Sequence, residues 1–219
     1  MQIFRCSAIL FDLDGVLVNS IDSVERQWRK FAARHGLDPE YVIHTAHGHR
    51  SIETVRILVP HLDVEAESAI VEQNEINDTE GLVAIEGAAE LLAVLPQDRW
   101  AVVTSGTRPL ATKRLQATGL PVPAKFVTAS EVQNGKPHPE PYLKGAAAVG
   151  FAPEQCLVLE DAKSGIRAAH AAGMKVIGVP GTFSAEELKE ADALVKSPAH
   201  VSVEVTREGL IVRVPEYQG

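Results

Sequence analysis

Residues 5–15 read RCSAILFDLDG: an apolar, strand-like run from Arg5 to Phe11 that stops at two acids, Asp12 and Asp14, flanking Leu13 ahead of Gly15. Side chains two apart on an extended segment point to the same side, so this strand end presents two carboxylates together. They repel each other unless a cation or a shared proton intervenes. Hard carboxylate oxygens suit Mg²⁺; an Asp-Gly turn with solvated acids is the plainer alternative. Outward from this stretch, four more runs of the same kind follow: Trp100–Thr104, Phe126–Ala129, Leu157–Glu160 and Val176–Val179. Their nearly continuous β-branched and leucine content marks strands buried on both faces, as in a parallel sheet. Helical patterns alternate with them at Pro109–Thr118, Glu140–Val149 and Ala162–Ala172, closing before Gly119, Gly150 and Gly173. The alternation predicts an α/β fold with right-handed crossovers.

One segment breaks the rhythm. Between Asn19 and Val83 the patterns are helical, at Ser20–His35, Ser51–Leu58 and Val64–Thr79, with no convincing strand. This predicts an all-helical insert over 19–83, with Asn19 or Ser20 capping its first helix and hinges near Val18–Asn19 and Gly81–Glu86. Residues 1–18 and 84–219 then form the core. Val201–Thr206 and Leu210–Val214, around Arg207-Glu208-Gly209, predict a β-hairpin at the sheet edge.

Composition narrows the function classes. The chain has 219 residues, 45% hydrophobic and 23% charged, which excludes a wholly disordered protein. Its formal net charge of -8 disfavours a general electrostatic grip on nucleic acid or an anionic membrane. No apolar stretch reaches the roughly 18–20 residues of a membrane span, and the N-terminus has no long apolar signal core. Cys6 and Cys156 form no CxxC pair and sit in or beside strand-like runs, so buried thiols are expected rather than a disulfide. A cytoplasmic monomer is the default.

Three more strand ends carry chemistry. Thr104-Ser105-Gly106-Thr107 offers hydroxyls and amides ahead of a helix, a place to hold a phosphate or simply to cap the helix. Gly135-Lys136-Pro137-His138-Pro139 is a stiff loop presenting one lysine, aimed inward as a fixed charge or left in solvent. Glu160-Asp161 ends another strand, with Ser164-Gly165 beyond; two acids there are costly unless paired or metal-bound. Together the four strand ends supply a nucleophile, a cation site and donors for a tetrahedral anion, the inventory of phosphoryl transfer.

FDLDGVLVNS (11–20), VVTSGT (102–107), GKPHPEPY (135–142) and VLEDAKSGIRAAHAAGMKVIGV (158–179) resemble the four motifs of the haloacid dehalogenase (HAD) superfamily phosphatases, in the family's order. The insert resembles the helical cap of that family's sugar- and polyol-phosphate branch. The resemblance implies a Rossmann-like parallel-sheet HAD core with an inserted all-helical cap domain. It also implies Mg²⁺-dependent hydrolysis of a small phosphorylated sugar or polyol. Asp12 would attack phosphorus and become an aspartyl phosphate. Asp14 would protonate the leaving alcohol and then activate water. Asp12, the Asp14 backbone carbonyl and Asp161 would hold the metal, with Glu160 orienting a ligand water or the lysine. Thr104, Ser105 and the Gly106 amide would hold phosphate oxygens, and Lys136 would neutralise shared charge.

His44, His47, His49 and Arg50 crowd one short segment. Without a companion cysteine or an H-x-x-x-H helix, a polar recognition loop over the site is expected rather than zinc. Arg50 is the residue expected to contact a sugar hydroxyl or phosphate, followed by His47 and His49; Trp28 is expected in the core of the insert. Two rivals remain. β-Phosphoglucomutase-like phosphotransferases share the motifs but carry a histidine where this chain has Val24. Phospho-accepting receiver modules, which are switches rather than enzymes, also join Asp, Mg²⁺, Ser/Thr and Lys, but need no cap.

Overall fold

The computed structural model describes residues 1–218. The first predicted strand is two: β1 (Gln2–Cys6) and β2 (Ala8–Phe11). The break falls at Ser7, whose amide donates to Gln155 O at 2.7 Å while Ile9 N donates to Arg99 O at 2.9 Å. β2 is buried along its whole length and runs straight into Asp12 and Asp14. A tight turn closed by Gly15 N donating to Val18 O then leads to β3 (Val18–Asn19).

Four helices follow: α1 (Ile21–His35), α2 (Pro39–Ala46), α3 (Ser51–Leu58) and α4 (Val64–Asn77). The sequence reading found three; α2 adds a short helix started by Asp38, which accepts from Tyr41 N at 2.8 Å, and by Pro39 in its first turn. Asp63 caps α4 in the same way through Ala66 N at 3.0 Å. At α1 it is Asn19 that accepts from Ile21 N at 3.3 Å, leaving the Ser20 hydroxyl free for another task. The four helices bury a common cluster of Trp28, Phe31, Val42, Ile43, Val55, Val59 and Val71. The chain then returns through β4 (Val83–Ala84), which pairs antiparallel with β3, Val18 facing Ala84 and Asn19 facing Val83.

The remaining elements alternate. They are α5 (Ala88–Val94), β5 (Trp100–Val103), α6 (Arg108–Ala117), β6 (Phe126–Val127), α7 (Glu140–Val149), β7 (Cys156–Glu160), α8 (Lys163–Ala171), β8 (Lys175–Gly178) and β9 (Ala193–Leu194). The six central strands form one parallel sheet in the order β6-β5-β2-β7-β8-β9. Its residues alternate between two buried faces. Ile9, Phe11, Val102, Leu157, Leu159 and Ile177 meet Leu91, Leu92 and Leu115 of α5 and α6. Leu10, Ala101, Val103, Val158 and Val176 meet Tyr142, Ala146, Ile166 and Ala169 of α7 and α8. Each large apolar side chain sequestered this way contributes roughly 1.5–3 kcal/mol, which is why these strands read as unbroken apolar runs.

The tail hairpin forms, as β10 (Ser202–Val205) and β11 (Leu210–Val214), but not on the edge of this sheet. It takes β1 as its third strand, in the order β1-β11-β10, with Gln2 facing Val214 and Cys6 facing Leu210. That pairing accounts for the break at Ser7: β1 and β2 belong to different sheets. Both cysteines are free, and burial pushes the Cys6 thiol up to about 12 and that of Cys156 to about 11. Among the described residues, no helix is long and apolar enough to cross a membrane.

Candidate active site

The parallel sheet aligns the C-terminal ends of β2, β5 and β7 along one edge, where α/β folds assemble their sites. Asp12, Asp14, Thr104, Ser105, Gly106, Lys136, Glu160 and Asp161 all line one cavity of about 90 Å³. Its opposite wall comes from the helical insert, through Val24, Trp28, His47, His49 and Glu75.

Lys136 is the hub. The residue is 4% exposed, and its ammonium donates to Asp12 Oδ1 at 2.8 Å, Glu160 Oε1 at 2.6 Å and Val103 O at 3.2 Å. Burial works against that charge, but Asp12 and Glu160 together hold the Lys136 pKa above its ordinary value. Burial also pushes the Asp12 carboxyl up to about 7, against the pull of Lys136. Glu160 is fully buried and fully engaged: Oε1 also accepts from the Tyr142 hydroxyl at 2.9 Å, and Oε2 accepts from Ala162 N at 2.8 Å. Of the two roles expected for Glu160, this geometry is that of holding the lysine. Gly165 makes room for it, since a Cβ there would fall 1.6 Å from Glu160 Oε1.

Asp161 faces Asp12 across the cavity floor. Burial, reinforced by repulsion from Glu160 and Asp12, pushes its carboxyl well above the usual range. One carboxylate oxygen each from Asp12, Glu160 and Asp161 lies within 4.8 Å of the others. A Cβ on Gly15 would stand 1.9 Å from Asp161 Oδ2, and its φ of +78° is one that L side chains rarely adopt, so glycine is required to admit this carboxylate. Three carboxylates opposed by one ammonium leave an excess of negative charge, and their hard oxygens fit a small divalent cation.

Asp14 is held from two sides. The Ser20 hydroxyl donates to Oδ1 at 2.7 Å, and Arg114 Nη1 donates to Oδ2 at 2.7 Å. Arg114, on α6, is 4% exposed, and its Nη2 lies 3.3 Å from Oε2 of Glu75 on α4. Sequence reasoning missed Arg114, Glu75 and Tyr142. A signal existed for the first two: Arg114 lies three and four residues after the buried Ala111 and Leu110, and Glu75 four after the buried Val71, so each stands on its helix's inward stripe.

In the loop after β5, the Ser105 hydroxyl lines the cavity, while the Gly106 amide donates to Thr104 Oγ1 at 3.0 Å. The Gly106 N–H expected to hold phosphate is thus already donated within the loop. His47 and His49 reach the cavity as expected; burial lowers the His47 pKa, and its Nε2 is buried without a partner. Trp28 serves both sides, packed in the insert's cluster and lining the cavity. Arg50 corrects an expectation. It does not line this cavity. Its guanidinium donates to Glu53 Oε1 at 2.5 Å and to the carbonyls of Gln133 at 3.1 Å and Val132 at 3.4 Å, drawn there by acceptors on the loop leading to Lys136. Ser164 Oγ donates to Gly48 O at 3.0 Å, and Thr107 donates to Glu72, so the insert is seated on the core at several points.

The sequence profile of the haloacid dehalogenase-like hydrolases matches residues 9–179, a span that contains the C-terminal ends of β2, β5 and β7 and the Lys136 loop. The chain belongs to the haloacid dehalogenase-like hydrolases. Within this family it is similar to hexitol phosphatase A of Escherichia coli K12, 41% identical over 213 residues that cover 95% of this chain and 99% of that one. It is 38% identical over 216 residues to glycerol-1-phosphate phosphohydrolase 1 of Saccharomyces cerevisiae, covering 92% and 85% of the two chains. Among solved structures, CbbY of Rhodobacter sphaeroides in complex with phosphate superposes with a TM-score of 0.77 at 25% identity, covering 89% of this hydrolase and 95% of CbbY.

Proposed function

We propose that this hydrolase is a Mg²⁺-dependent phosphatase that cleaves a small phosphorylated sugar or polyol through an aspartyl-phosphate intermediate. Residues 1–18 and 84–219 serve as the core and 19–83 as a cap closing over it. The observation that carries this reading is the buried Lys136 bridging Asp12 at 2.8 Å and Glu160 at 2.6 Å, in the cavity that Ser105 and Asp161 also line. The relatives, a hexitol phosphatase and a glycerol-1-phosphate phosphohydrolase, support the substrate class.

Asp12 and Asp161, with the Asp14 backbone carbonyl, are the residues to hold Mg²⁺. The ion, when bound, supplies charge neutralisation where an anionic nucleophile meets an anionic substrate. Asp12 attacks phosphorus as the bond to the alcohol oxygen breaks, and the Asp14 carboxyl gives that oxygen its proton. Asp14 then accepts a proton from water as it attacks phosphorus, releasing phosphate and regenerating Asp12. Lys136 counters the charge shared by Asp12 and the phosphoryl group. Ser105 donates to a phosphate oxygen, while Thr104 shapes the loop through Gly106 N. Ser20 and Arg114 keep Asp14 aimed. Val24, at the cavity wall, has no proton to relay, which favours hydrolysis over transfer to a second sugar.

A panel of sugar and polyol phosphates assayed with Mg²⁺ tests this. Asp12→Asn is expected to abolish turnover, a loss of at least about 10⁴-fold, with the melting temperature retained. Near-normal phosphate release by that variant overturns the nucleophile assignment.

A further inference from the structure

The cavity wall opposite the sheet has an electrostatic character of its own. Of the lysines and arginines, Lys136 and Arg114 reach the cavity, and each is already committed to two carboxylates. The insert contributes one charged side chain, Glu75, which is 5% exposed. One of its oxygens faces Arg114 at 3.3 Å; the other has no hydrogen-bond partner among the described residues. Nearby on the same wall, His47 presents a buried, unpartnered Nε2. The wall therefore holds an acceptor and an imidazole nitrogen wanting partners, and no uncommitted lysine or arginine to meet a second anion.

We propose that Glu75 is a specificity-determining residue that restricts the substrate to a phosphate monoester of an uncharged, hydroxylated alcohol and rejects substrates whose far end carries a carboxylate or a second phosphate. This rests on the phosphatase reading above. A substrate hydroxyl satisfies the free Glu75 oxygen, which has no hydrogen-bond partner among the described residues, and His47 Nε2, which otherwise remains buried without one. A carboxylate at that end meets a like charge and gains no cation in return. Because Arg114 joins Glu75 to Asp14, the same pair sets this wall at a fixed place relative to the leaving oxygen. A purely structural ion pair would influence stability without sorting substrates by charge.

The test uses matched pairs that differ only in a hydroxymethyl group against a carboxylate: racemic glycerol 3-phosphate against racemic 3-phosphoglycerate, and D-glucitol 6-phosphate against 6-phospho-D-gluconate. Assays run with Mg²⁺ at pH 8, above the value of about 7 to which burial pushes the Glu75 carboxyl. The wild type is expected to favour the neutral member by on the order of 100-fold in kcat/KM. Glu75→Gln, and Glu75→Ala as a second variant, are expected to reduce that ratio at least about tenfold. The ratio is independent of how much of a variant folds, and the wild-type ratio stands without any variant. Comparable wild-type kcat/KM for both members, or an unchanged ratio in the variants, overturns the proposal. Release of phosphate from p-nitrophenyl phosphate but from no member of either pair overturns it while leaving the phosphatase reading in place. Release from none of these overturns both.

Discussion

Arg114 couples two carboxylates that lie far from it in sequence, Asp14 and Glu75, and both it and Glu75 are buried. A buried guanidinium loses hydration that two close acceptors must replace, and removing it strands both acids. Arg114→Met is therefore expected to cost about 3–5 kcal/mol of stability, read by urea denaturation. Arg114→Lys keeps the charge but loses the fork. It is expected to lower kcat on polyol phosphates about tenfold or more, with a smaller loss on p-nitrophenyl phosphate, whose leaving group needs no proton from Asp14. An equal loss on both substrates contradicts a positioning role. Asp12, Asp14, Ser105 and Asp161 were legible because each closely follows an apolar run, so charge or hydroxyl at that place stands out, and Lys136 because it sits alone in a stiff Gly/Pro loop. Arg114 and Glu75 lie within helices, RPLATKRLQA and VEAESAIVEQNEIN, that each carry other charged residues. Only their spacing from the buried Leu110, Ala111 and Val71 separates their buried charge from its exposed neighbours.

At the level of elements, the close seating of α8 on β7 decides whether the lysine can be held. Gly165 in the first turn of α8 lies against Glu160 at the end of β7. Glycine to alanine inside a helix usually adds up to about 1 kcal/mol of stability. Here Gly165→Ala is expected to destabilise by several kcal/mol, since the new Cβ would overlap a buried carboxylate that has no free direction to move. Thermal melting with a fall of several degrees supports this; a rise contradicts it. Five of the six parallel strands and the helices α6, α7 and α8 were readable because two buried faces impose continuous apolarity and each of these helices stops at or just before a glycine; α5, which ends at Val94, and the two-residue β9 were not. The partition of residues 2–11 between two sheets was not, since β1 finds its partner more than 200 residues away. The short helix α2 was hidden for a different reason: eight residues give barely two turns of pattern.

For the molecule as a whole, the excess of buried acid ties stability to both metal and pH. Mg²⁺ at about 100 times its dissociation constant is expected to add about 2.7 kcal/mol of stability, seen as a higher melting temperature without any substrate. Asp161→Asn is expected to remove that gain; a gain retained in full contradicts its place among the ligands. The Glu75 carboxyl ionises near 4.5 when exposed but is pushed to about 7 by burial in the folded protein. The folded state thus binds more protons between these values, and stability falls as pH rises through that window, on the order of 3 kcal/mol from this group. Glu75→Gln is expected to flatten the decline of urea midpoints between pH 5 and pH 8; an unaltered slope contradicts the assignment. The two-residue ribbon of β3 and β4 has its own consequence at this scale. Because Val18 lies opposite Ala84, the polypeptide leaves and re-enters the catalytic body through a single doorway. An insert attached at one doorway can change in length without re-threading the sheet, so under the proposed function the wall facing the substrate can vary while the sheet edge carrying Asp12 and Asp161 stays in place.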